Sequence, residues 1–331
     1  MSSPDNIYEM NKPLVSIICG FYNRELGVDV TLPSLIRQTY QNIEIIVFDD
    51  CSTDATLEKI RAFADRDTRV KLLEHDSNVG FVNGLINAIQ HAKGDFVAIQ
   101  GAGDESLPPR IEMQVEYLIT HPEVGVVSCH SSYKRVINDE WYVRNSGSGK
   151  VLTSDIVRDN PLIHGAAMIR KRMYDEIGGY RSFFKYSQDR DLWSRMTLKH
   201  EVHVLPRHLY LTYPSTNGVS VVNRSKILQK YYSKFVNQLI EMRMHDGQDF
   251  VDLFGDDAKF FMDPTLTIVN FRRTALKQLY HNKLSDLAFL LSIIERTGNS
   301  INDAVFVKLI RVLSQPSLIK YVRRLMSCMV R

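Results

Sequence analysis

Apolar positions in the first hundred residues alternate between short β-branched runs and longer stretches in which they recur every three or four residues. Such runs are typical of buried strands, and such stretches are typical of amphipathic helices. The predicted strands are residues 14–21, 43–49, 70–75 and 94–101. The predicted helices are residues 31–40, 55–66 and 80–92. This alternation predicts an α/β fold with a mostly parallel sheet and helices on both faces.

Polar residues lie at the ends of three of these strands, and their position indicates a functional site. They are Tyr22, Asn23 and Arg24 after the first strand, Asp49 and Asp50 after the second, and Asp104 after the fourth. In parallel sheets, ligands bind outside the carboxyl ends of the strands, so these residues should line one crevice. The alternative for Asp50 is a helix cap, although neighbouring Ser52 or Asp54 would serve equally well.

Composition narrows the class of protein. The 331 residues are 44% apolar with a net charge of +3, which is ordinary for a globular protein and gives no sign of nucleic-acid binding. The four cysteines are far apart and lack CxxC pairing, which argues against a zinc site and a disulfide scaffold. The start lacks a signal-peptide pattern, and the apolar runs are too short to span a bilayer. We therefore predict a cytoplasmic protein.

The chain resembles the inverting glycosyltransferases of family 2, which have the GT-A fold. The resemblance covers roughly residues 13–220 and rests on fragments in the family's order: VSIICGFYNRE, IEIIVFDDCSTDAT, NVGFVNGLINAIQHAKGDFVAIQGAGDESLPPR, HPEVGVVS, HGAAMIRKRMYDEIGGYRSFF and SQDRDLWSRM. It implies a GT-A domain over residues 13–224, with a donor half at about 13–110 and an acceptor half at about 111–224. The residues from 225 to 331, where the match fades and helical spacing takes over, form a predicted helical extension.

The resemblance assigns donor-binding roles to the strand-end residues. Tyr22 would pack near the nucleotide base, with Asn23 and Arg24 beside it. Asp50 would accept a hydrogen bond from a base N–H, which suits the acceptor-only carboxylate and a uracil-type imide. Asp49 would support the loop. Asn78 and Gly80 match the family's NxG, where glycine permits close approach or a positive φ, and an ordinary turn is the alternative.

The metal expectation rests on Asp104, where the chain departs from the family. The family commonly has DxDD, whereas this chain has Gly101, Ala102 and Gly103 before Asp104. One carboxylate with substrate phosphates and water is enough to hold Mg²⁺ or Mn²⁺, and Glu105 is a candidate second ligand. The bound metal would neutralise charge on the leaving diphosphate. A helix cap is the alternative role of Asp104.

The acceptor side should carry the catalytic base. The family usually has Glu-Asp where this chain has Gln188-Asp189, so the resemblance makes Asp189 the base that takes the proton of the acceptor hydroxyl. His164 and Gly165 would face the donor sugar or acceptor, and Trp193 would stack on a sugar. The alternatives are that His164 only packs against its neighbours and that Trp193 belongs to the apolar core.

Two remaining features concern the end of the domain and the tail. In place of a histidine that the family often has, Asn217, Ser220 or Arg224 would meet the diphosphate. The tail mixes Leu318, Ile319, Val322, Leu325, Met326 and Met329 with Lys320, Arg323, Arg324 and Arg331. This pattern fits an anionic membrane surface or an amphipathic helix docked on the protein.

The sequence thus predicts transfer of a sugar from a UDP-sugar to a hydroxyl of a glycan or lipid-linked acceptor, assisted by Mn²⁺ or Mg²⁺. The setting would be surface polysaccharide or lipopolysaccharide biosynthesis, with contact at the inner face of the plasma membrane and no nucleic-acid partner. One alternative is a non-catalytic nucleotide-sugar-binding relative, which the missing acids suggest and Asp189 opposes. A dehydrogenase is disfavoured because the first strand is not followed by GxGxxG.

Overall fold

The computed structural model describes residues 12–134, 140–144, 147–213, 223–263, 265–297 and 300–329. The described residues up to 213 form one compact unit, and those from 223 onward form another.

The first unit contains the strands and seven described α-helices. Its strands are β1 (Val15–Phe21), β2 (Ile43–Asp49), β3 (Val70–Glu74), β4 (Phe96–Gln100), β5 (Glu105–Ser106), β6 (Val124–Lys134), β7 (Trp141–Arg144), β8 (Gly149–Val151), β9 (Met168–Arg170) and β10 (Glu201–Thr212). Its helices are α1 (Glu25–Ile36), α2 (Thr56–Ala64), α3 (Phe81–Gln90), α4 (Arg110–Thr120), α5 (Thr153–Arg158), α6 (Lys171–Glu176) and α7 (Gln188–Met196). A short 3₁₀ helix spans His164–Ala166.

The strands form one mixed sheet with the order β3-β2-β1-β4-β9-β6-β10-β5, in which β7 pairs with β6 and β8 with β10. Strands β1 to β4 are parallel to one another, as the alternation of strand and helix predicted. Strand β9 then runs antiparallel to both β4 and β6. The α/β architecture is therefore confirmed, with a parallel half and a mixed half.

Two apolar cores cover the two faces of the sheet, because successive residues of a strand point to opposite faces. Ile17 and Ile45 belong to the core beneath α1, α2 and α4. Ile18 and Ile46 belong to the core beneath α3, α6 and α7. Burial on both faces explains why β1 and β2 are almost continuously apolar.

Helix α1 begins at Glu25, six residues before the predicted start at Thr31. Its first N–H groups are satisfied from another loop: the Arg24 N–H donates to Thr56 Oγ1 at 2.7 Å and the Glu25 N–H donates to Asp54 at 3.4 Å. This contact between loops 30 residues apart compensates for the weak apolar periodicity of the first turns.

The second unit is helical. It contains α8 (Asn223–Asp246), α9 (Phe250–Phe254), α10 (Thr265–Tyr280), α11 (Leu284–Thr297), α12 (Ile301–Leu313) and α13 (Ile319–Met329). Its core includes Phe271, Leu290 and Ile310, with Ile319 buried and Val322 packed against it. The beginning of α13 thus docks on its own unit, as one of the two tail hypotheses predicted. Within the described part of the chain, no helix has both the length and the apolar composition needed to cross a bilayer.

Candidate active site

The carboxyl ends of β1, β2 and β4 lie side by side. Strand β1 pairs with both β2 and β4, and Phe21 at the end of β1 is in register with Asp49 at the end of β2. The Asp50 N–H continues this pairing by donating to the Phe21 carbonyl at 2.9 Å. The three predicted polar clusters therefore lie at one edge of the sheet.

The loop after β1 is held against the loop after β2. Asn23 adopts φ 50°, a region that asparagine tolerates better than most residues. Its Oδ1 accepts from the Thr53 N–H at 2.8 Å, and its own N–H donates to Ser52 Oγ at 3.0 Å. Tyr22 projects outward with 48% of its surface exposed. Asn23 thus fixes the loop geometry, while Tyr22 is free to contact a ligand.

Asp50 is almost completely buried, and its carboxylate holds the loop that follows β3. Its oxygens accept from the N–H groups of Val79 and Gly80, both at 2.9 Å, and Oδ1 lies 3.0 Å from His75 Nδ1. Asn78 Nδ2 donates to the Asp50 carbonyl at 3.0 Å. These bonds show that the buried Asp50 carboxylate fixes the loop from Asn78 to Gly80.

Two neighbours of Asp50 complete the donor-side loops. Gly80 has φ 85° and ψ 151°, a conformation that is essentially restricted to glycine and that includes the positive φ expected at this position. Asp49 accepts from the Ser52 N–H at 2.9 Å and therefore supports its loop, as predicted. The two adjacent acids therefore stabilise different loops: Asp49 stabilises its own loop, and Asp50 stabilises the loop that follows β3.

Asp104 lies at the centre of a close-packed cluster. Tyr210 Oη donates to Asp104 Oδ2 at 2.9 Å, and the Tyr213 N–H donates to Oδ1 at 3.3 Å. Burial raises the pKa of Asp104 to about 7, against the opposing effects of these two bonds and of the Arg24 guanidinium. Burial also lowers the pKa of Arg24, an effect that the charge of Asp104 opposes. The charges of Arg24 and Asp104 therefore interact at this end of the sheet.

The residues around Asp104 fit a divalent cation held largely by a ligand. Within the described ranges, no cluster of three or more His, Cys, Asp or Glu side chains is placed to hold a metal. The Glu105 carboxylate is engaged elsewhere, since it accepts from Tyr213 Oη at 2.9 Å and lies 3.7 Å from Arg37. A single hard carboxylate matches Mg²⁺ or Mn²⁺ that is coordinated mainly by phosphates and water.

The other side of the crevice is built around Asp189, in the first turn of α7. Its Oδ2 accepts from Asn160 Nδ2 at 3.0 Å, and the side chain is only partly buried. The next acid, Asp191, is buried and pairs with Arg181 and with Arg195, the latter at 2.8 Å. These ion pairs give Asp191 a structural role, whereas the partly buried Asp189 carboxylate remains accessible.

His164 lies beside Asp189. Its Nε2 is 2.7 Å from Tyr180 Oη. Burial lowers the pKa of His164, and the charge of Asp189 opposes this effect. Trp193 packs behind His164, with ring centroids 6.2 Å apart, and is 0% exposed. The predicted stacking of Trp193 on a sugar does not fit this position, because α7 turns the ring into the core.

The 3₁₀ helix His164–Ala166 connects the two sides. At one end His164 faces Asp189, and at the other a Cβ built on Gly165 would lie 2.2 Å from Tyr210 Oη. Arg110 Nη1 donates to the Gly165 carbonyl at 2.8 Å. This short helix therefore lies within reach of the charge of Asp189 and against Tyr210, whose hydroxyl bonds Asp104.

Sequence reasoning missed several residues of this site, and for most of them no local signal exists. From the sequence alone, Arg110 is indistinguishable from a surface residue of an amphipathic helix, and Tyr210 is indistinguishable from other aromatic residues of a strand. The full set is His75, Arg110, Asn160, Tyr180 and Tyr210. The proposed diphosphate contacts Asn217 and Ser220 lie outside the described residues, as does the side chain of Arg224.

Comparisons with known proteins agree with this geometry. The sequence model of the family described as "Glycosyl transferase family 2" matches residues 16–188. The putative glycosyltransferase EpsE of Bacillus subtilis (strain 168) is 34% identical over 191 residues, which is 55% of this chain and 66% of EpsE. The Escherichia coli protein WfgD, named as a UDP-Glc:alpha-D-GlcNAc-diphosphoundecaprenol beta-1,3-glucosyltransferase, is 27% identical over 222 residues, 67% of this chain and 78% of WfgD.

A solved structure agrees in fold. The mannosyltransferase PcManGT of Pyrobaculum calidifontis, in complex with GDP-Man and Mn²⁺, superposes with a TM-score of 0.55 at 18% identity. The alignment covers 94% of this chain and 83% of the mannosyltransferase. At this identity the likeness establishes a shared GT-A-like fold.

Proposed function

The chain belongs to glycosyl transferase family 2, and we propose that it transfers a sugar from a UDP-sugar to a hydroxyl of a glycan or glycolipid, with inversion at the anomeric carbon. The observation that carries the proposal is the joining of two sides of one site by the turn His164–Ala166. Asp104 and the buried Asp50 support the donor side, and Asp189 stands open on the acceptor side.

On the donor side, Tyr22 packs against the base and Asp50 Oδ2 accepts from its imide N–H. The loop from Asn78 to Gly80 then approaches the nucleotide through its backbone. Arg24 is close to Asp104 and faces the diphosphate with a fixed positive charge. Asp104 would hold Mn²⁺ or Mg²⁺, which when bound supplies Lewis-acid stabilisation of the leaving diphosphate.

On the acceptor side, Asp189 accepts the proton of the acceptor hydroxyl as the oxygen forms its bond to the anomeric carbon. The bond from that carbon to the diphosphate breaks, and its electron pair leaves with UDP. Attack from the face opposite the diphosphate inverts the anomeric configuration. Asn160 orients the carboxylate for this step, and neutral His164 with Gly165 forms the wall against which the sugars bind.

The test is nucleotide-sugar binding and hydrolysis with UDP and GDP donors, with and without Mn²⁺. We expect calorimetry to detect UDP binding that depends on Mn²⁺, and Asp104→Ala to abolish that dependence. Asp155→Ala, which removes a partly exposed acid of the same unit that pairs with Arg158, is the control. Failure of the wild type to bind any nucleotide sugar contradicts the proposal. Binding without turnover of any donor, unchanged in Asp189→Asn, supports the alternative of a non-catalytic binding protein.

Surface polysaccharide or lipopolysaccharide assembly is the setting we propose, because WfgD is named for a lipid diphosphate acceptor. The helical unit has the charge for an anionic membrane: residues 265–331 contain eleven Lys or Arg and three Asp or Glu. Helix α12 also exposes an apolar stripe made of Ile301, Val305, Leu309 and Val312. A basic surface with exposed apolar side chains is typical of peripheral membrane binding.

Flotation with vesicles tests this contact. The protein should float with vesicles containing phosphatidylglycerol, and not with pure phosphatidylcholine. Val305→Ser with Leu309→Ser should abolish flotation, as should Lys320→Glu with Arg323→Glu. The control is Arg66→Glu with Lys93→Glu, which reverses two exposed charges in the other unit. Equal flotation of all variants, or none by the wild type, contradicts membrane contact.

A further inference from the structure

Tyr210 occupies space that side chains at two other positions would otherwise fill. A Cβ built on Gly101 would lie 2.9 Å from Tyr210 Oη and 2.5 Å from Asp104 Oδ2. A Cβ on Gly165 would lie 2.2 Å from the same hydroxyl. All three distances are too short for real Cβ contacts. The glycines at 101 and 165 therefore make room for a phenol, and an acid at position 101 would collide with it.

The hydroxyl of Tyr210 has a defined direction. It accepts from the Gly101 N–H at 2.9 Å and lies 2.9 Å from Asp104 Oδ2. A backbone N–H can only donate, so the single hydroxyl hydrogen is free to point at the carboxylate. Two hydrogen bonds in series therefore connect the Gly101 N–H, just after β4, with the Tyr210 hydroxyl on β10, and that hydroxyl with Asp104.

The ring of Tyr210 is also fixed. Tyr210 is 0% exposed, and the Arg110 guanidinium carbon lies 5.5 Å from the ring centroid. Arg110 itself is anchored by the carbonyls of Ile99 at 3.1 Å and Gly165 at 2.8 Å. A ring held on its face by an anchored side chain has few alternative rotamers, so it can restrict the carboxylate to which it donates.

We propose that Tyr210 is a positioning residue that holds Asp104 in the orientation which receives the metal-bound diphosphate, and that it takes the place of an acid at position 101. This inference rests on the proposed function. Partners that orient a metal ligand commonly change metal affinity about 10–100-fold when they are removed. Tyr210 would act only through Asp104 and would not contact the nucleotide.

The test is Mn²⁺-dependent UDP binding by Tyr210→Phe, measured by calorimetry and by electron paramagnetic resonance of free Mn²⁺. The expected result is Mn²⁺ affinity in the presence of UDP that is about 10–100-fold weaker. Tyr40→Phe is the matched control, since Tyr40 is also buried and its hydroxyl donates to the Pro13 carbonyl at 2.6 Å. Thermal midpoints of both variants check folding, and Gly101→Ala, which crowds the same bond, serves if Tyr210→Phe does not fold.

A double-mutant cycle separates positioning from a general effect on the fold. In an Asp104→Asn background, Tyr210→Phe should produce no further loss of Mn²⁺ affinity. Wild-type Mn²⁺ affinity in Tyr210→Phe overturns the inference and leaves the proposed function standing. An equal loss of UDP affinity with and without Mn²⁺ also overturns it. A wild type without Mn²⁺-dependent UDP binding contradicts both proposals.

Discussion

The carboxylates on the proposed donor side and on the proposed acceptor side of the site have different surroundings. On the donor side, Asp50 and Asp104 are bonded to backbone N–H groups and to a buried hydroxyl before any ligand arrives. On the proposed acceptor side, the Asp189 carboxylate is partly exposed and accepts a hydrogen bond from the Asn160 amide. Substitutions on the donor side should therefore change loop shape and binding together, whereas substitution of Asp189 should change chemistry alone.

Asp189→Asn should give the largest effect, which is a loss of turnover. A change in UDP affinity would contradict the difference proposed between the two sides. Loss of a general base lowers turnover about 10²–10⁴-fold. UDP affinity and the thermal midpoint should stay at wild-type values, because Asn can still accept from Asn160. Asp191→Asn is the contrast: it removes the charge that pairs with two arginines, so the midpoint should fall. Steady-state kinetics and thermal unfolding of both variants provide the measurement.

Asp50→Ala should lower stability and UDP affinity together. The variant removes the acceptor of the Val79 and Gly80 N–H groups, and because this backbone is partly exposed, each lost hydrogen bond should cost about 0.5–1.5 kcal/mol. Asp50→Asn is the matched control, since its carbonyl oxygen can still accept from one of the two. Denaturant unfolding and calorimetry with UDP are the measurements. Lost UDP affinity with an unchanged free energy of unfolding would show that Asp50 does not brace the loop.

Gly80→Ala tests whether the loop after β3 contributes to UDP binding as well as to stability. Its φ of 85° and ψ of 151° cost a non-glycine residue about 1–3 kcal/mol. Gly178→Ala, also at φ 80° with open space for a Cβ, should show a comparable loss of stability. Only Gly80→Ala should weaken UDP binding, because Gly178 ends helix α6 on the other half of the unit. Parallel unfolding and binding curves test this difference.

His164→Gln should give the smallest effect on stability, and this effect should appear only below neutral pH. Burial lowers the pKa of His164 in the folded chain, whereas the unfolded chain keeps a value of about 6.5. The unfolded state therefore binds more protons, and wild-type stability should fall as pH drops below about 6.5, by at most about 1.4 kcal/mol per pH unit. The variant lacks this contribution. Identical pH dependence of unfolding in both proteins would contradict it.

Much of the fold followed from the sequence, and so did the edge of the sheet where the site lies. The strands β1, β2 and β4 were recognisable because burial on both faces requires nearly continuous apolar runs, and Tyr22, Asp50 and Asp104 follow or lie close to their ends. The start of α1 was misplaced because its first turn is capped by Asp54 and Thr56 from another loop. Trp193 was assigned to the acceptor side because spacing along α7 cannot say which apolar residue faces a crevice.

The sequence by itself determined the element order, the family and the residue types available for chemistry, because periodicity and motif spacing are local properties of the chain. Tertiary structure decided which partners those residues take. Asp50 is 28 residues or more from Asn78 and Gly80, and Asp104 is 106 residues from Tyr210. The roles of Gly101 and Gly165 also depend on Tyr210, since only packing shows whether the space beside a glycine is already occupied. Hydrogen bonding and close packing between distant segments are set by the folded backbone, and no local pattern encodes them.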